Sequence, residues 1–263
     1  MTANAAHQQT LRDVMDPARA IALAATLGEA REVASGDPLP PFAHHLYFWE
    51  PRPPDALGAD GHPATGGFIP DMGLPRRMWA AGRLVFHAPL LAGVRAEKIS
   101  RIEDAVRKTG RSGPLAFVRL RHDIRQRNAL ALTEWQELVY RAEGSSPAAP
   151  QPAPVNETHA EERRFDPTML FHYSALTFNG HRIHYDAPYA TGVEGYRGLV
   201  VHGPLLAHLL MGLAERQLGR LATFDYRATA PLMVDEPVTL CWRDGAVWTR
   251  GPDGRLCMTG RAT

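Results

Sequence analysis

The chain has 263 residues, enough for two domains of about 130 or for one large one. Its 44% hydrophobic and 22% charged residues describe an ordinary globular protein, and a formal net charge of +1 gives no default attraction to nucleic acid or to an anionic membrane. Two cysteines, Cys241 and Cys257, are too few for a disulfide framework and lack the paired spacing of a zinc site, so reduced thiols and no metal are expected.

The opening residues, MTANAAHQQTLRDVMD, have no basic segment leading into an apolar core, so no signal peptide is expected. No apolar stretch is long and uninterrupted enough to span a bilayer, and by elimination the reading is a cytoplasmic protein. PARAIALAATLGEA (17–30) suits a short helix opened by Asp16 as its cap. Residues 36–75 are rich in Pro and Gly with aromatics between them, which predicts an irregular segment that packs on something. From Met78 onward, RMWAAGRLVFH, VRAEKISRIEDAV, GPLAFVRLRHDIR and LALTEWQELVYRA read as strands separated by short polar turns.

GSSPAAPQPAPVNE (144–157) has four prolines and little to bury, and reads as a linker. The expected division is residues 1–143 as an N-terminal unit, 144–160 as the linker and 161–263 as a C-terminal unit. The second unit repeats the theme of the first. FDYRATAPLMVDEPVTLCWRDG resembles LVFHAPLLAGVRAEKISRIED, with Pro89 and Pro231 142 residues apart, and both units end in three consecutive strand-like segments. Before those strands, GPLLAHLLMGLAERQLG (203–219) places Leu206, Leu209, Leu210, Leu213 and Leu218 at helical spacing and stops at Gly219. A long apolar helix followed by antiparallel strands predicts an α+β fold in which a sheet wraps a helix, the hotdog arrangement, here in tandem.

LTFNGHRIHYDAP (176–188) concentrates the side chains of chemistry. Together with LVVHGPLLAHLL it resembles the hydratase motif of MaoC-like proteins, a pattern close to D-x-N-P-[LI]-H-x-D. The spelling YSALTFNGHRIHYD is closer to the branch that holds mesaconyl-C4-CoA (3-methylfumaryl-CoA) and itaconyl-CoA hydratases and mitochondrial type 2 hydroxyacyl-thioester dehydratases. LPRRMWAAGRLVFHAPL, EDAVRKTGRSGPLAFVRLRH and WQELVYR in the first half carry the same resemblance, which covers most of residues 38–263. It implies a double hotdog in which the first half has lost catalysis and accommodates substrate, and a homodimer. No cofactor is implied, because coenzyme A is part of the substrate.

The resemblance puts His184 at the catalytic histidine, Asn179 at the family's aspartate, His181 at its asparagine and Asp186 at its trailing aspartate. Gly203 falls on the glycine whose N–H holds the thioester oxygen. The residues support this independently. Water addition to an enoyl thioester needs a base near neutral pH, which an imidazole provides, and donors at the developing oxyanion, which a helix N-terminus provides. An amide at 179 cannot exchange a proton, so either His184 acts as base and acid while Asn179 orients water, or Asp186 supplies the carboxylate. Asp186 before Pro188 also reads as a turn or cap residue. His181 and His202 read as structural or orienting supports, and His208 as a packed or interface histidine.

Arg76, Arg77 and Arg111 are the candidates for coenzyme A phosphates or an acyl carboxylate, since guanidinium binds both in a bidentate fork. Tyr173 joins them as a binding residue, with a core aromatic as its other reading. Two further functions stay open: a general 3-hydroxyacyl-thioester dehydratase on coenzyme A or acyl carrier protein, and an inactive thioester-binding subunit. A thioesterase fits less well, because the motif has no carboxylate at 179.

Overall fold

The computed structural model describes residues 8–110, 113–142 and 149–263. Each half opens with the same device. Strand β1 (Gln8–Asp13) leads into helix α1 (Pro17–Thr26), where the Asp16 carboxylate accepts the Ala18 N–H at 2.9 Å. Strand β6 (His159–Arg163) leads into α2 (Pro167–Thr177), where Asp166 accepts the Met169 N–H at 2.9 Å. In both, the cap satisfies an unpaired donor and the following proline, needing none, sits at the first helical position.

After α1 the chain runs irregularly, with single 3-10 turns at Ala43–Leu46 and Pro54–Ala56, before β2 (Arg76–Phe86), β3 (Ala96–Gly110), β4 (Gly113–Gln126) and β5 (Ala129–Arg141). After α2 come a 3-10 turn at Arg182–His184, short α3 (Ala187–Gly192) and long α4 (Gly203–Leu218). Four strands then close the chain: β7 (Thr223–Ala228), β8 (Val238–Arg243), β9 (Ala246–Arg250) and β10 (Leu256–Ala262). Each half contributes four consecutive strands, those of the first half being the four runs read from the sequence, and the Ala-Pro-Leu triplets follow β2 and β7 at the same distance from the strand end.

All pairings are antiparallel in one ten-stranded sheet, ordered β1-β3-β4-β5-β2-β7-β10-β9-β8-β6. From either outer edge the halves have the same internal order, and they meet where β2 pairs with β7 from Ala81↔Arg227 to Val85↔Thr223. At that seam Leu84 lies opposite Phe224, and both are fully buried. The seam is continuous core.

Helix α4 packs against β7, β8, β9 and β10 and buries Leu206, Leu209, Leu210 and Leu213, each worth about 1.5–3 kcal/mol relative to exposure. Leu218 departs from the expected stripe and is exposed in the last turn. The first half has no counterpart of α4 among its described residues; instead the irregular segment drives Phe42, Leu46, Tyr47 and Phe48 into the shared core. It also buries charge there, with the Glu134 carboxylate held between His44 Nε2 and His45 Nε2 at 3.0 Å each.

Of the linker, residues 144–148 lie outside the described residues. The rest is not a free tether: Ala153 is buried against Trp248, whose indole N–H donates to Pro154 O at 3.1 Å, and β6 already begins at His159. Both cysteines are buried free thiols. No helix among the described residues is long and apolar enough to cross a membrane.

Candidate active site

The motif loop starts where α2 stops. Phe178 takes a left-handed φ of 51°, the Asn179 N–H closes onto Ser174 O at 2.8 Å, and Asn179 Oδ1 accepts the His181 N–H at 3.1 Å. The next turn carries His184 inward, to 6% exposure. Its Nδ1 lies 2.7 Å from Val200 O. A carbonyl only accepts, so Nδ1 bears the proton and Nε2 keeps its lone pair. Burial lowers the His184 pKa to about 4 against the opposing effect of the Val200 bond, so the ring is a neutral base at physiological pH.

His202 stacks on His184 with ring centres 3.7 Å apart and is fixed by Ser174 Oγ at 2.8 Å from its Nε2. It is fully buried behind His184, away from the cavity, as a support would be. His181 stands edge-on to His184 at 5.5 Å and does line the cavity. Burial, then the neighbouring His62 and His184, push its pKa down to about 2.

Gly203 is the first residue of α4, whose N-terminus carries no side-chain cap bond and has Pro204 next. Among the described residues no side chain caps this first turn, and the dipole favours negative charge there. A Cβ on Gly203 would come within 3.0 Å of the Trp79 ring from β2, so a side chain here would crowd the approach. Tyr173 lines the cavity from α2 while its ring packs edge-on against His202 at 4.9 Å.

These residues open on one cavity of about 2030 Å³ between the halves, lined by Asn179, His181, His184 and Gly203 from the second half and by Arg76, Arg77 and Trp79 from the first. It is larger than the roughly 300–1,000 Å³ of ordinary small-molecule pockets, which suits a long substrate. Arg76 is partly committed: its Nη2 donates to Glu194 O at 2.9 Å and its Nε lies 3.5 Å from the Glu194 carboxylate. Arg77 has no ion pair among the described residues, and its charge acts on Asp60 and Tyr140 beside it. Arg111 lies outside the described residues.

Asp186 does not join the site. One oxygen accepts the Tyr189 N–H at 3.1 Å and caps α3, the other pairs with Arg182 at 2.7 Å, and the residue is absent from the cavity wall. Its cap reading holds, and the carboxylate role expected as an alternative does not follow from this placement. Of the carboxylates that line the cavity, the one bonded through its backbone to the motif loop is Asp60, paired with His62 at 2.9 Å, from the irregular segment of the first half. Sequence reasoning missed both. Nothing in their spacing ties them to a loop more than a hundred residues away. His208, read as packed, is half-buried beside His44 and His45, and desolvation is the main cause that lowers it to about 4.

The family model described as hydroxyacyl-thioester dehydratase type 2 matches residues 42–234. The chain belongs to that family. The mesaconyl-C(4)-CoA hydratase of Chloroflexus aurantiacus is 45% identical over 251 residues, 92% of this chain and 90% of the relative. Among solved structures, HtdX of Mycobacterium tuberculosis superposes with a TM-score of 0.69 at 19% identity, covering 97% of this chain and 99% of that one. A second M. tuberculosis protein, described as having a double hotdog fold, superposes at 0.60 with 14% identity over 97% and 94% of the two chains. The fold of this hydratase–dehydratase family member is the double hotdog.

Proposed function

We propose that the protein is an enoyl-thioester hydratase acting on a branched C5 dicarboxylic acyl group carried by coenzyme A, with mesaconyl-C4-CoA as the first substrate and itaconyl-CoA the second. The observation that carries the reading is His184: a buried neutral imidazole in one tautomer, lining the same cavity as the uncapped start of α4. The Gly203 N–H receives the thioester oxygen as negative charge develops on it. His184 Nε2 takes a proton from water while the oxygen bonds to the β-carbon, then returns that proton to the α-carbon. Asn179 donates from its NH₂ to orient the water or substrate. Arg77, uncommitted to any carboxylate ion pair among the described residues, receives the acyl carboxylate.

The relative named mesaconyl-C(4)-CoA hydratase supports this choice of acyl group. A 3-hydroxyacyl-thioester dehydratase of broader range is the second reading, favoured by the family's own description. A homodimer working in the cytoplasm belongs to the proposal as well. The test is loss of the enoyl-thioester absorbance with mesaconyl-C4-CoA, itaconyl-CoA and crotonyl-CoA. The expected result is turnover of a dicarboxylic substrate, with kcat lowered about 10³-fold in His184→Ala. Turnover of crotonyl-CoA alone would favour the second reading, and silence on all three would point to a thioester-binding protein without activity.

A further inference from the structure

The motif loop leaves the reaction one group short. A water molecule that adds to a double bond loses one hydrogen to the base, and its other hydrogen must be held so that the oxygen lone pair faces the β-carbon. Asn179 is poorly placed to hold it, because its side-chain oxygen is already bound to the His181 N–H. Asp186 is turned to capping and to Arg182.

The first half provides an acceptor. Asp60-Gly61-His62 has the same form as Asn179-Gly180-His181, with a carboxylate where the motif has the amide. The two segments are docked through Arg182, whose backbone N–H donates to Asp60 O at 2.9 Å and whose Nη1 donates to Ala59 O at 3.1 Å. Gly61 has a φ of +86°, and a Cβ on it would lie 2.1 Å from Gly180 O. Only glycine permits that approach. The docking brings the His62 ring to 4.4 Å from His181, which stands 5.5 Å from His184.

Asp60 grips His62 twice. Oδ1 accepts its backbone N–H at 3.1 Å and Oδ2 lies 2.9 Å from ring Nδ1. The first bond suffices to shape the turn; the second fixes the ring tautomer. With Nδ1 protonated, Nε2 carries a lone pair, and no hydrogen-bond partner occupies it among the described residues. This is the tautomer of His184, backed by a carboxylate instead of a carbonyl.

We propose that His62, held by Asp60, is the second acceptor on the reacting water, an inference that rests on the hydratase reading above. In hydration one O–H bond breaks, its proton passing to His184 Nε2 as the oxygen lone pair forms the bond to the β-carbon. The C=C electron pair moves onto the thioester oxygen. The second hydrogen stays on oxygen, donated to His62 Nε2, and becomes the product hydroxyl. The proton on His184 then goes to the α-carbon. His62 is thus a catalytic residue, and Asp60 a positioning residue that raises its acceptor strength and excludes the wrong tautomer.

The experiment is hydration of mesaconyl-C4-CoA by wild type, His62→Ala, His62→Gln and Asp60→Asn, reading kcat, KM and Tm. Expected are a kcat lowered about 100-fold in His62→Ala and about 10-fold in Asp60→Asn, with KM and Tm little changed. His62→Gln, whose amide oxygen again accepts, recovers part of the loss. Wild-type kcat in both His62 variants overturns this proposal alone. Wild type silent on every enoyl thioester overturns the hydratase reading and this inference with it. Activity lost to a chelator and restored by a divalent cation also overturns it, by assigning Asp60, His62 and His181, whose ligand atoms lie within 4.8 Å of one another, to a metal.

Discussion

A buried imidazole with one nitrogen pinned has a single task left for the other. Because burial holds His184 near 4, its Nε2 is already unprotonated throughout the neutral range. Hydration by the wild type is therefore expected to stay level from pH 8 down through 6.5 and to decline only toward 4, which a pH–rate profile checks. A decline centred on 6.5 would mean that the working base is an ordinary exposed imidazole. At this scale His184, Asn179 and Gly203 were legible from residue type and order, since the motif, its loop and the following helix are local in the chain. Asp186 was ambiguous because an aspartate before Ala-Pro reads equally as a cap, and capping is what it does. Asp60 and His62 were passed over: Asp-Gly-His repeats the form of Asn-Gly-His, but so short a match does not say that the two meet when the halves fold together.

The elements divide along the same line. Helix α1 announces itself by Asp-Pro and α4 by its leucine spacing and terminal glycine, whereas α2, which opens with the same Asp-Pro, was not read from the sequence. The long strands of the first half alternate well enough to be found. The tight β4–β5 connection, where Arg127 and Asn128 both take positive φ, reflects the twist that a two-residue hairpin needs and is not spelled by glycine. Residues 36–75 have no period, so composition predicted only that they pack; which side chains they bring to the cavity depends on the Gly61–Gly180 contact. Gly61→Ala tests that dependence directly. Its methyl would meet Gly180 O in a left-handed backbone, so the loop has to withdraw. Hydration kcat should fall at least about 10-fold, with thermal melting displaced by only a few degrees because the loop lies outside the helix-and-sheet core. A wild-type rate in this variant would show that the docking is dispensable.

At the scale of the whole molecule, neutral buried histidines make the fold itself sensitive to acid. His44, His184 and His208 are pushed to about 4 and His122 to about 3, in each case chiefly by burial. Their folded pKa values lie below the ordinary 6.5, so the unfolded chain binds protons first as pH falls. Stability from these groups is full above about pH 6.5 and drains away from there toward 4. Glu134 acts in the same direction lower down: burial favours its protonated form, but His45 and His44 outweigh this and hold it well below the usual carboxylate range. Melting temperatures at pH 7.5, 6 and 5 should therefore fall in that order; a maximum at pH 5 would contradict the buried, uncharged state of the histidines. The tandem architecture was legible at this scale from the repeated strand pattern, whereas the loss of one central helix was not, since a segment without period does not say what it has replaced. The β2–β7 seam gives that loss its meaning. In an assembly of two identical subunits every substitution appears twice, so a copy cannot surrender its helix without its partner doing the same. Joined in one chain, the halves are free of that constraint: only the second lays a long helix against its strands, while the first runs an irregular segment along the cavity wall.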